Sequence, residues 1–238
     1  LAKVAATCDH ISGGRIEMGI GGGWYEHEWR AYGYGFPEVG DRLRMLREGV
    51  EIFRQAWTTG KATLDGRYYR VDGAIVQPRP LQDGPSRIPL WIAGGGEKVT
   101  LRIAAHYADY TNFFGQPDGF ARRAEILAGH CRDLGTDYDR IVKSSNFNTV
   151  VAGTEAEVED KIRALEDRWS KVVPADTVRK MGNDLRNSPA SGTPEQVAEQ
   201  LTRYQQAGLQ YTITYFPDAA YDRSSLEQFA AEVAPALS

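Results

Sequence analysis

The sequence has little cysteine and no pattern that indicates a metal site. Cys8 and Cys131 are the two cysteines among 238 residues, and they lack the CxxC spacing of zinc and redox motifs. No HExxH motif or carboxylate cluster is present either. We therefore expect reduced thiols, no disulfide framework and no bound metal.

An excess of positive charge and a long apolar run are also absent. The 28 basic and 32 acidic residues are interleaved and give a net charge of −4. This balance provides no basic surface for nucleic acid or anionic lipid. No apolar stretch approaches the ~20 residues that span a bilayer, and residues 1–6 lack the apolar core of a signal peptide. We expect a cytoplasmic protein whose partner is a small molecule rather than nucleic acid or membrane.

Glycine is abundant, and two short apolar runs each end in three consecutive glycines. The first run leads into Gly21, Gly22, Gly23 and Trp24, and the second into Gly94, Gly95, Gly96 and Glu97. Glycine lets backbone N–H groups approach an anion closely, and a following helix adds its positive N-terminal dipole. The two loops therefore suggest phosphate groups of a bound cofactor. The alternative for each loop is a tight turn between a strand and a helix.

Strand-like and helix-like segments alternate along the chain. Strands are predicted at 15–21, 89–93, 108–114, 144–152 and 211–216. Helices are predicted at 38–57, 97–107, 120–134, 155–169, 193–208 and 225–237. A polar segment follows helix 155–169 and extends through Asn187. Residues 60–88 are rich in glycine and proline, and we interpret them as an inserted hairpin formed by runs 68–71 and 74–76. The α/β alternation predicts a parallel sheet, either a (β/α)₈ barrel or a doubly wound open sheet.

An ordered set of motifs resembles one family. The sequence HISGGR at 10–15 runs into GIGGGWYE at 19–26, AYG at 31–33 and FP at 36–37. QPRP at 77–80, PLWIAGGGE at 89–97, Thr100, Leu101 and Ala104 follow, and then Ala108 and Asp109. Together they resemble the bacterial luciferase-like monooxygenase superfamily, and most closely its deazaflavin (F420) branch.

This resemblance implies a fold. Members are (β/α)₈ TIM barrels, so we expect residues 1–238 to form a single luciferase-like barrel domain, in a homodimer. Strand 15–21 corresponds to the fourth barrel strand, and residues 1–10 to the end of the third helix. We expect three strands to precede Leu1, so that the sequence starts within the barrel. The alternative is a genuine partial barrel with an unpaired edge on strand 15–21.

The resemblance also assigns cofactor-binding residues. In the family the first loop helps to hold the cofactor, which implies this role for Gly21, Gly22, Gly23 and Trp24. For the second loop, the glycines and the predicted helix start assign Gly94, Gly95, Gly96, Glu97 and Thr100 to a phosphate. Two alternatives stay open: Trp24 packs beneath its loop, and the Thr100 hydroxyl bonds its own backbone.

The segment after the first loop supplies the candidate catalytic residues. Glu26 and His27 stand beside aromatic residues, and a histidine titrating near neutrality suits proton transfer. The alternative is a solvated surface, which is usual for charged residues in a loop. Relatives often have an acid at the position of His27 and a histidine at that of Trp29, so the roles do not transfer directly.

The sequence therefore predicts an oxidoreductase that uses F420 for hydride transfer to or from a small organic substrate. One alternative is an FMN-dependent monooxygenase that uses reduced flavin and dioxygen. Another is a non-catalytic flavin- or deazaflavin-binding protein. An NAD enzyme with a Rossmann fold ranks last, because Trp24 occupies the place of the third glycine in GxGxxG.

Overall fold

The computed structural model describes residues 1–84 and 86–237 and divides the chain into two compact units. Unit 1 comprises Leu1–Phe114 and Arg122–Lys143, and unit 2 comprises Gly115–Ala121 and Ser144–Ser238. Two positions in the predictions, Pro85 in the inserted region and Ser238 at the end of the barrel domain, lie outside the described residues. The assignment of one barrel domain to 1–238 stays a prediction.

Unit 1 contains the first five strands and most of the first five helices. Its helices are α1 (Ala2–Ser12), α2 (Glu26–Ala31), α3 (Val39–Thr59), α4 (Thr100–Tyr107) and most of α5 (Pro117–Leu134). Its strands are β1 (Met18–Gly21), β2 (Lys61–Asp65), β3 (Arg70–Ile75), β4 (Leu90–Ala93) and β5 (Tyr110–Asn112).

The strands β1, β4 and β5 form a parallel sheet, with β4 between the other two. Leu90 and Ile92 of β4 are fully buried, and their core cluster includes α3. Helix α3 packs there because apolar residues recur along it at three- and four-residue steps and so share one face. Its Leu46, Val50, Phe53 and Trp57 are all buried.

Unit 2 contains the remaining elements. Its strands are most of β6 (Val142–Asn148), then β7 (Val150–Val151), β8 (Ser191–Gly192) and β9 (Tyr211–Tyr215). Its helices are α6 (Glu155–Trp169), α7 (Ala175–Arg186), α8 (Pro194–Gln206) and α9 (Ser224–Gln228), and a π-helical segment (Phe229–Val233) and a 3₁₀ turn (Ala234–Leu237) follow.

Parallel strand pairing and helix capping organise unit 2. Strands β6 and β9 are parallel, and the short strands β7 and β8 also pair in parallel. Thr193 caps α8, with Pro194 at the first helical position and Gln196 completing a capping box. The parallel strands and intervening helices agree with the expected α/β class.

The inserted region differs from the prediction. Runs 68–71 and 74–76 are not two paired strands; residues 70–71 of the first run and 74–75 of the second both belong to β3, whose antiparallel partner is β2. The carboxylate of Glu48, on α3, explains the difference because it accepts the backbone N–H groups of residues 67–69 at 2.9–3.0 Å. These hydrogen bonds hold residues 67–69 as the connection before β3, so the hairpin starts earlier than its alternating pattern indicates.

Three further boundaries also differ. The predicted helix 97–107 begins at Thr100, because residues 97–99 form a turn in which Leu101 donates to the Gly96 carbonyl at 3.0 Å. The charged segment after the first glycine loop is the short helix α2. The predicted polar segment contains α7, whose apolar Val178 and Leu185 are buried among many charged neighbours.

Within residues 1–84 and 86–237, no helix combines the length and apolar character needed to cross a membrane. Cys8 and Cys131 are free thiols. The same residues contain no group of three or more histidine, cysteine or acidic side chains placed to hold a metal.

Candidate functional site

The two glycine loops lie side by side at one edge of the unit 1 sheet. Strands β1 and β4 are parallel neighbours, and Gly21 pairs directly with Ala93. A Cβ on Gly21 would lie 3.1 Å from the Ala93 carbonyl oxygen, so the strands approach closely where both loops begin. The carboxyl edge of a parallel sheet is where such folds build their sites. The structure therefore brings Gly21–23 and Gly94–96 together.

The backbone of the second loop is arranged to present donors. Gly94 has φ 125°, a left-handed conformation that favours glycine, and its N–H donates to the Asn112 carbonyl at 2.8 Å. The N–H groups of Gly95 and Gly96 donate to no other residue in the described part of the chain. Two consecutive backbone donors are thereby left for a ligand.

The Thr100 side chain lies against this loop. Thr100 is 5% exposed, and a Cβ on Gly96 would lie 2.8 Å from its Oγ1 atom. The hydroxyl makes no hydrogen bond with the residues that the structure describes, so the alternative in which it bonds its own backbone is not what is found. A nearly buried hydroxyl without a partner beside two free N–H groups is a set of donors that suits an anion.

Positive charge adjoins the loop through α5. A Cβ on Gly95 would lie 2.8 Å from the guanidinium Nε of Arg123. Glu97 is directed elsewhere: its carboxylate accepts from Arg122 at 3.2 Å, and its carbonyl lies 2.7 Å from Nε2 of His130. Glu97 therefore ties the loop to α5, a structural role that the sequence analysis did not assign.

The first loop has a packing reason for its glycines. A Cβ on Gly22 would lie 3.0 Å from the Leu43 side chain, and one on Gly23 would lie 2.6 Å from Nε1 of Trp29. Gly23 also has φ 70°. The Gly22 carbonyl accepts from Arg42 at 3.2 Å. Close packing of α2 and α3 therefore accounts for Gly22 and Gly23 without a ligand.

The predicted aromatic and catalytic side chains lie on the surface of unit 1. Trp24 is 85% exposed and contacts the Tyr25 ring at 5.4 Å, so it does not pack beneath its loop. His27 is exposed on α2, with its ring 5.9 Å from that of Tyr25. The carboxylate of Glu26 pairs with Arg30 at 2.6 Å. The Glu26 carboxylate therefore already has a charged partner on α2.

Sequence reasoning missed two residues that lie at the second loop. Asn112 ends β5, and its backbone carbonyl accepts from the Gly94 N–H. The predicted strand 108–114 continues past Asn112, so no signal in the sequence marks this position. Arg123 lies within a predicted helix among other charged residues. Its proximity to Gly95 depends on how α5 packs, which no local pattern encodes.

Comparison with known proteins identifies the relatives. A family model described as luciferase-like monooxygenase matches residues 1–211. The pyrimidine monooxygenase RutA of Stutzerimonas stutzeri is 32% identical over 57% of this chain and 38% of its own length. The FMNH₂-dependent dimethylsulfone monooxygenase of Pseudomonas putida is 26% identical over 98% of this chain and 69% of its own. The F420-dependent glucose-6-phosphate dehydrogenase of Kineococcus radiotolerans is 28% identical over the whole chain and 73% of its own.

Solved structures show the same fold. An F420-dependent secondary alcohol dehydrogenase aligns over 100% of this chain and 74% of its own, with a TM-score of 0.78 and 21% identity. The F420-dependent tetrahydromethanopterin reductase of Methanopyrus kandleri aligns over 100% of this chain and 78% of its own, with a TM-score of 0.77 and 18% identity. The predicted α/β fold of the luciferase-like type is confirmed, and the presence of strands before Leu1 stays a prediction. The chain belongs to the luciferase-like monooxygenase family, and its relatives include flavin- and deazaflavin-dependent oxidoreductases.

Proposed function

We propose that the chain is part of an F420-dependent oxidoreductase that transfers hydride to or from a small organic substrate. The observation that carries the proposal is the second glycine loop, where two free backbone N–H groups and the Thr100 hydroxyl lie at the carboxyl edge of the sheet. This donor set fits a phosphate group, which both F420 and FMN contain. A cytoplasmic location and a homodimer are part of the same proposal.

In this account the protein binds and orients, and the cofactor supplies the redox chemistry. The N–H groups of Gly95 and Gly96 donate to phosphate oxygens, and the Thr100 hydroxyl donates a third hydrogen bond. Arg123 adds positive charge beside Gly95. Gly21 lacks a Cβ, which would lie 3.1 Å from the Ala93 carbonyl oxygen, so the neighbouring strand end approaches the second loop closely. A deazaflavin held by these residues would supply a ring carbon that accepts or donates hydride.

Proton transfer is assigned to the segment after the first loop. We propose His27 as the residue that holds or releases the proton, because its imidazole is exposed and a ring nitrogen can both accept and donate a proton. Glu26 ranks second, since its carboxylate is held by Arg30. Trp24, with 85% of its surface accessible, provides an aromatic face for the cofactor or the substrate.

FMN-dependent monooxygenation is the second candidate function. It is favoured by the dimethylsulfone monooxygenase, whose similarity extends over 98% of the chain. The ordered motifs at 10–37 and 77–97 favour F420, and the F420-dependent relative from Kineococcus radiotolerans matches the whole chain. A phosphate cradle alone does not distinguish the two cofactors, so the ring system must be tested directly.

The test is a fluorescence titration of the protein with F420 and, separately, with FMN at fixed ionic strength. Tighter binding of F420 supports the proposal, and the reverse redirects it to monooxygenation. Binding of neither contradicts the phosphate cradle. His27→Gln is then compared with the wild type in single turnover: the proposal predicts a slower step with unchanged cofactor affinity, whereas an unchanged rate removes His27 from the mechanism.

A further inference from the structure

One face of the unit 1 sheet turns away from α3 and α4. Four side chains of β1 and β4 pack in the core with these helices: Met18, Ile20, Leu90 and Ile92. Because successive residues of a strand point to opposite faces, Gly19, Gly21 and Trp91 lie on the other face. A Cβ on Gly21 would lie 3.7 Å from Cβ of Ala93, and one on Gly19 would lie 4.0 Å from Cβ of Trp91. Gly19, Gly21 and Ala93 are exposed, and we call this surface the open face.

Glu17 continues the open face two residues before Gly19. Its carboxylate oxygen Oε2 accepts from the indole Nε1 of Trp91 at 2.6 Å, which shows that both side chains lie on this face. The Trp91 ring stacks on the Tyr110 ring, with centroids 4.2 Å apart and planes inclined by 10°. The stacked indole therefore holds the Glu17 carboxylate in place. We call Glu17, Trp91 and Tyr110 the carboxylate–aromatic cluster.

The negative charge of this cluster has no counter-charge. Glu17 is exposed, and no basic side chain within residues 1–84 and 86–237 pairs with it. Trp91 occupies Oε2, whereas Oε1 makes no hydrogen bond with the same residues. A carboxylate oxygen accepts hydrogen bonds and attracts cations, and aromatic neighbours favour a cation as well. The cluster therefore suits a cationic group and repels an anionic one.

The open face joins this cluster to the strand ends where the glycine loops begin. Four residues separate Glu17 from Gly21, which corresponds to about 13 Å along an extended strand. Over this distance the face carries only small groups beside Trp91, at Gly19, Gly21 and Ala93. At the loop end, the Thr100 hydroxyl is nearly buried and makes no hydrogen bond with a described residue, which indicates a ligand there. The two ends of the face thus differ in charge preference: donors for an anion at one, a carboxylate for a cation at the other.

We propose that the substrate is a small organic amine in its ammonium form, and that the carboxylate–aromatic cluster binds its cationic group. The ammonium group donates to Oε1 of Glu17, and the carbon skeleton lies over Gly19. Glu17 is then a residue that determines specificity, because it favours ammonium groups and disfavours carboxylates. Trp91 is a positioning residue that acts through Glu17. The assignment of the bound amine as a substrate rests on the proposed function.

The experiment compares three probes that share one carbon skeleton: cyclohexylammonium, cyclohexanol and cyclohexanecarboxylate. Isothermal titration calorimetry measures their binding at neutral pH and fixed ionic strength, to the protein alone and to the protein saturated with its preferred cofactor. The variant Glu17→Gln removes the charge and keeps an acceptor for the Trp91 indole. The matched control, Glu38→Gln, removes the same charge from an exposed residue before α3 whose side chain caps no backbone group. Thermal unfolding verifies that both variants fold.

We expect the wild type to bind cyclohexylammonium about fivefold more tightly than cyclohexanol, the size of effect that an exposed ion pair supplies. Glu17→Gln abolishes this preference, and Glu38→Gln retains it. Cyclohexanecarboxylate binds the wild type most weakly and gains affinity in Glu17→Gln. Equal affinities of the wild type for the ammonium and the alcohol, or a preference that survives in Glu17→Gln, overturn the proposal. A preference for cyclohexanol that depends on Glu17 also overturns it, because the bound group is then a hydroxyl.

Failure of the proposed function has a different result. If neither F420 nor FMN binds, but the protein alone prefers cyclohexylammonium and Glu17→Gln removes that preference, the proposed function and the substrate assignment are both refuted and the cation site stands. If a cofactor binds and the preference is absent both with and without it, the substrate class is refuted and the proposed function stands.

Discussion

Replacement of Gly96 by alanine should weaken cofactor binding without unfolding the protein. The new Cβ would lie 2.8 Å from Oγ1 and 3.4 Å from Cβ of Thr100. Gly96 does not have a left-handed φ, so its backbone accepts a side chain. The methyl group therefore moves the Thr100 hydroxyl and intrudes on the space in front of the loop. Rotation of one side chain away from its preferred rotamer costs about 0.5–1.5 kcal/mol.

The effect on binding is larger than the effect on stability. A hydrogen bond to a charged group contributes about 1.5–3 kcal/mol, which corresponds to about 10- to 150-fold in Kd. We expect Gly96→Ala to raise the Kd of the preferred cofactor within this range. Thr100→Val, which removes the hydroxyl and nearly keeps the shape, should raise it to a lesser extent.

Equilibrium fluorescence titration measures the affinities, and chemical denaturation measures the free energy of unfolding. Gly40→Ala is the matched control: Gly40 also lacks a left-handed φ, and its Cβ would lie 3.7 Å from the nearest side-chain atom, on Arg44. An unchanged Kd for Gly96→Ala would refute the role of the loop. A large loss of stability would show instead that Gly96 serves packing.

Two other predictions concern stability. Burial raises the pKa of Glu48, but the three backbone N–H donors at 67–69 outweigh burial and leave the pKa below its ordinary value. Glu48→Gln should therefore lower the free energy of unfolding by about 2 kcal/mol, measured by urea denaturation at neutral pH. An unchanged free energy of unfolding would contradict the role of Glu48 in holding residues 67–69. The Arg186 guanidinium lowers the pKa of Glu159 and Glu166, so their stabilisation is complete above the unfolded pKa near ~4.3 and is lost as the pH falls through the lower folded values. Arg186→Gln should therefore cost about 1 kcal/mol at pH ~7 and much less at pH ~3, whereas an equal cost at both would exclude the ion pairs as its cause.

Patterns with a strong period predicted the fold well. The helices predicted at 38–57 and 193–208 appear in the structure as α3 and α8, within a few residues at each end. The patterns failed where a distant residue decides the conformation. Glu48 on α3 fixes residues 67–69, and no short-range signal in the hairpin reports a carboxylate some twenty residues away.

The candidate site was predictable in its backbone and not in its side chains. Consecutive glycines after apolar runs predicted both loops, and the parallel pairing of Gly21 with Ala93 brings them together. The position of Arg123 beside Gly95 depends on helix packing. Gly23 is required because a side chain there would collide with Trp29, and this contact likewise cannot be predicted from the sequence. Glycine-rich loops therefore need a structure before binding and packing roles can be separated.

The central claim is that the second glycine loop binds the phosphate of the cofactor. The most direct measurement compares the affinity of the protein for the preferred cofactor with its affinity for the same cofactor without the phosphate, which is riboflavin in the case of FMN. We expect removal of the phosphate to weaken binding at least about tenfold in the wild type and far less in Gly96→Ala. An equal loss in both proteins would place the phosphate elsewhere and contradict the account.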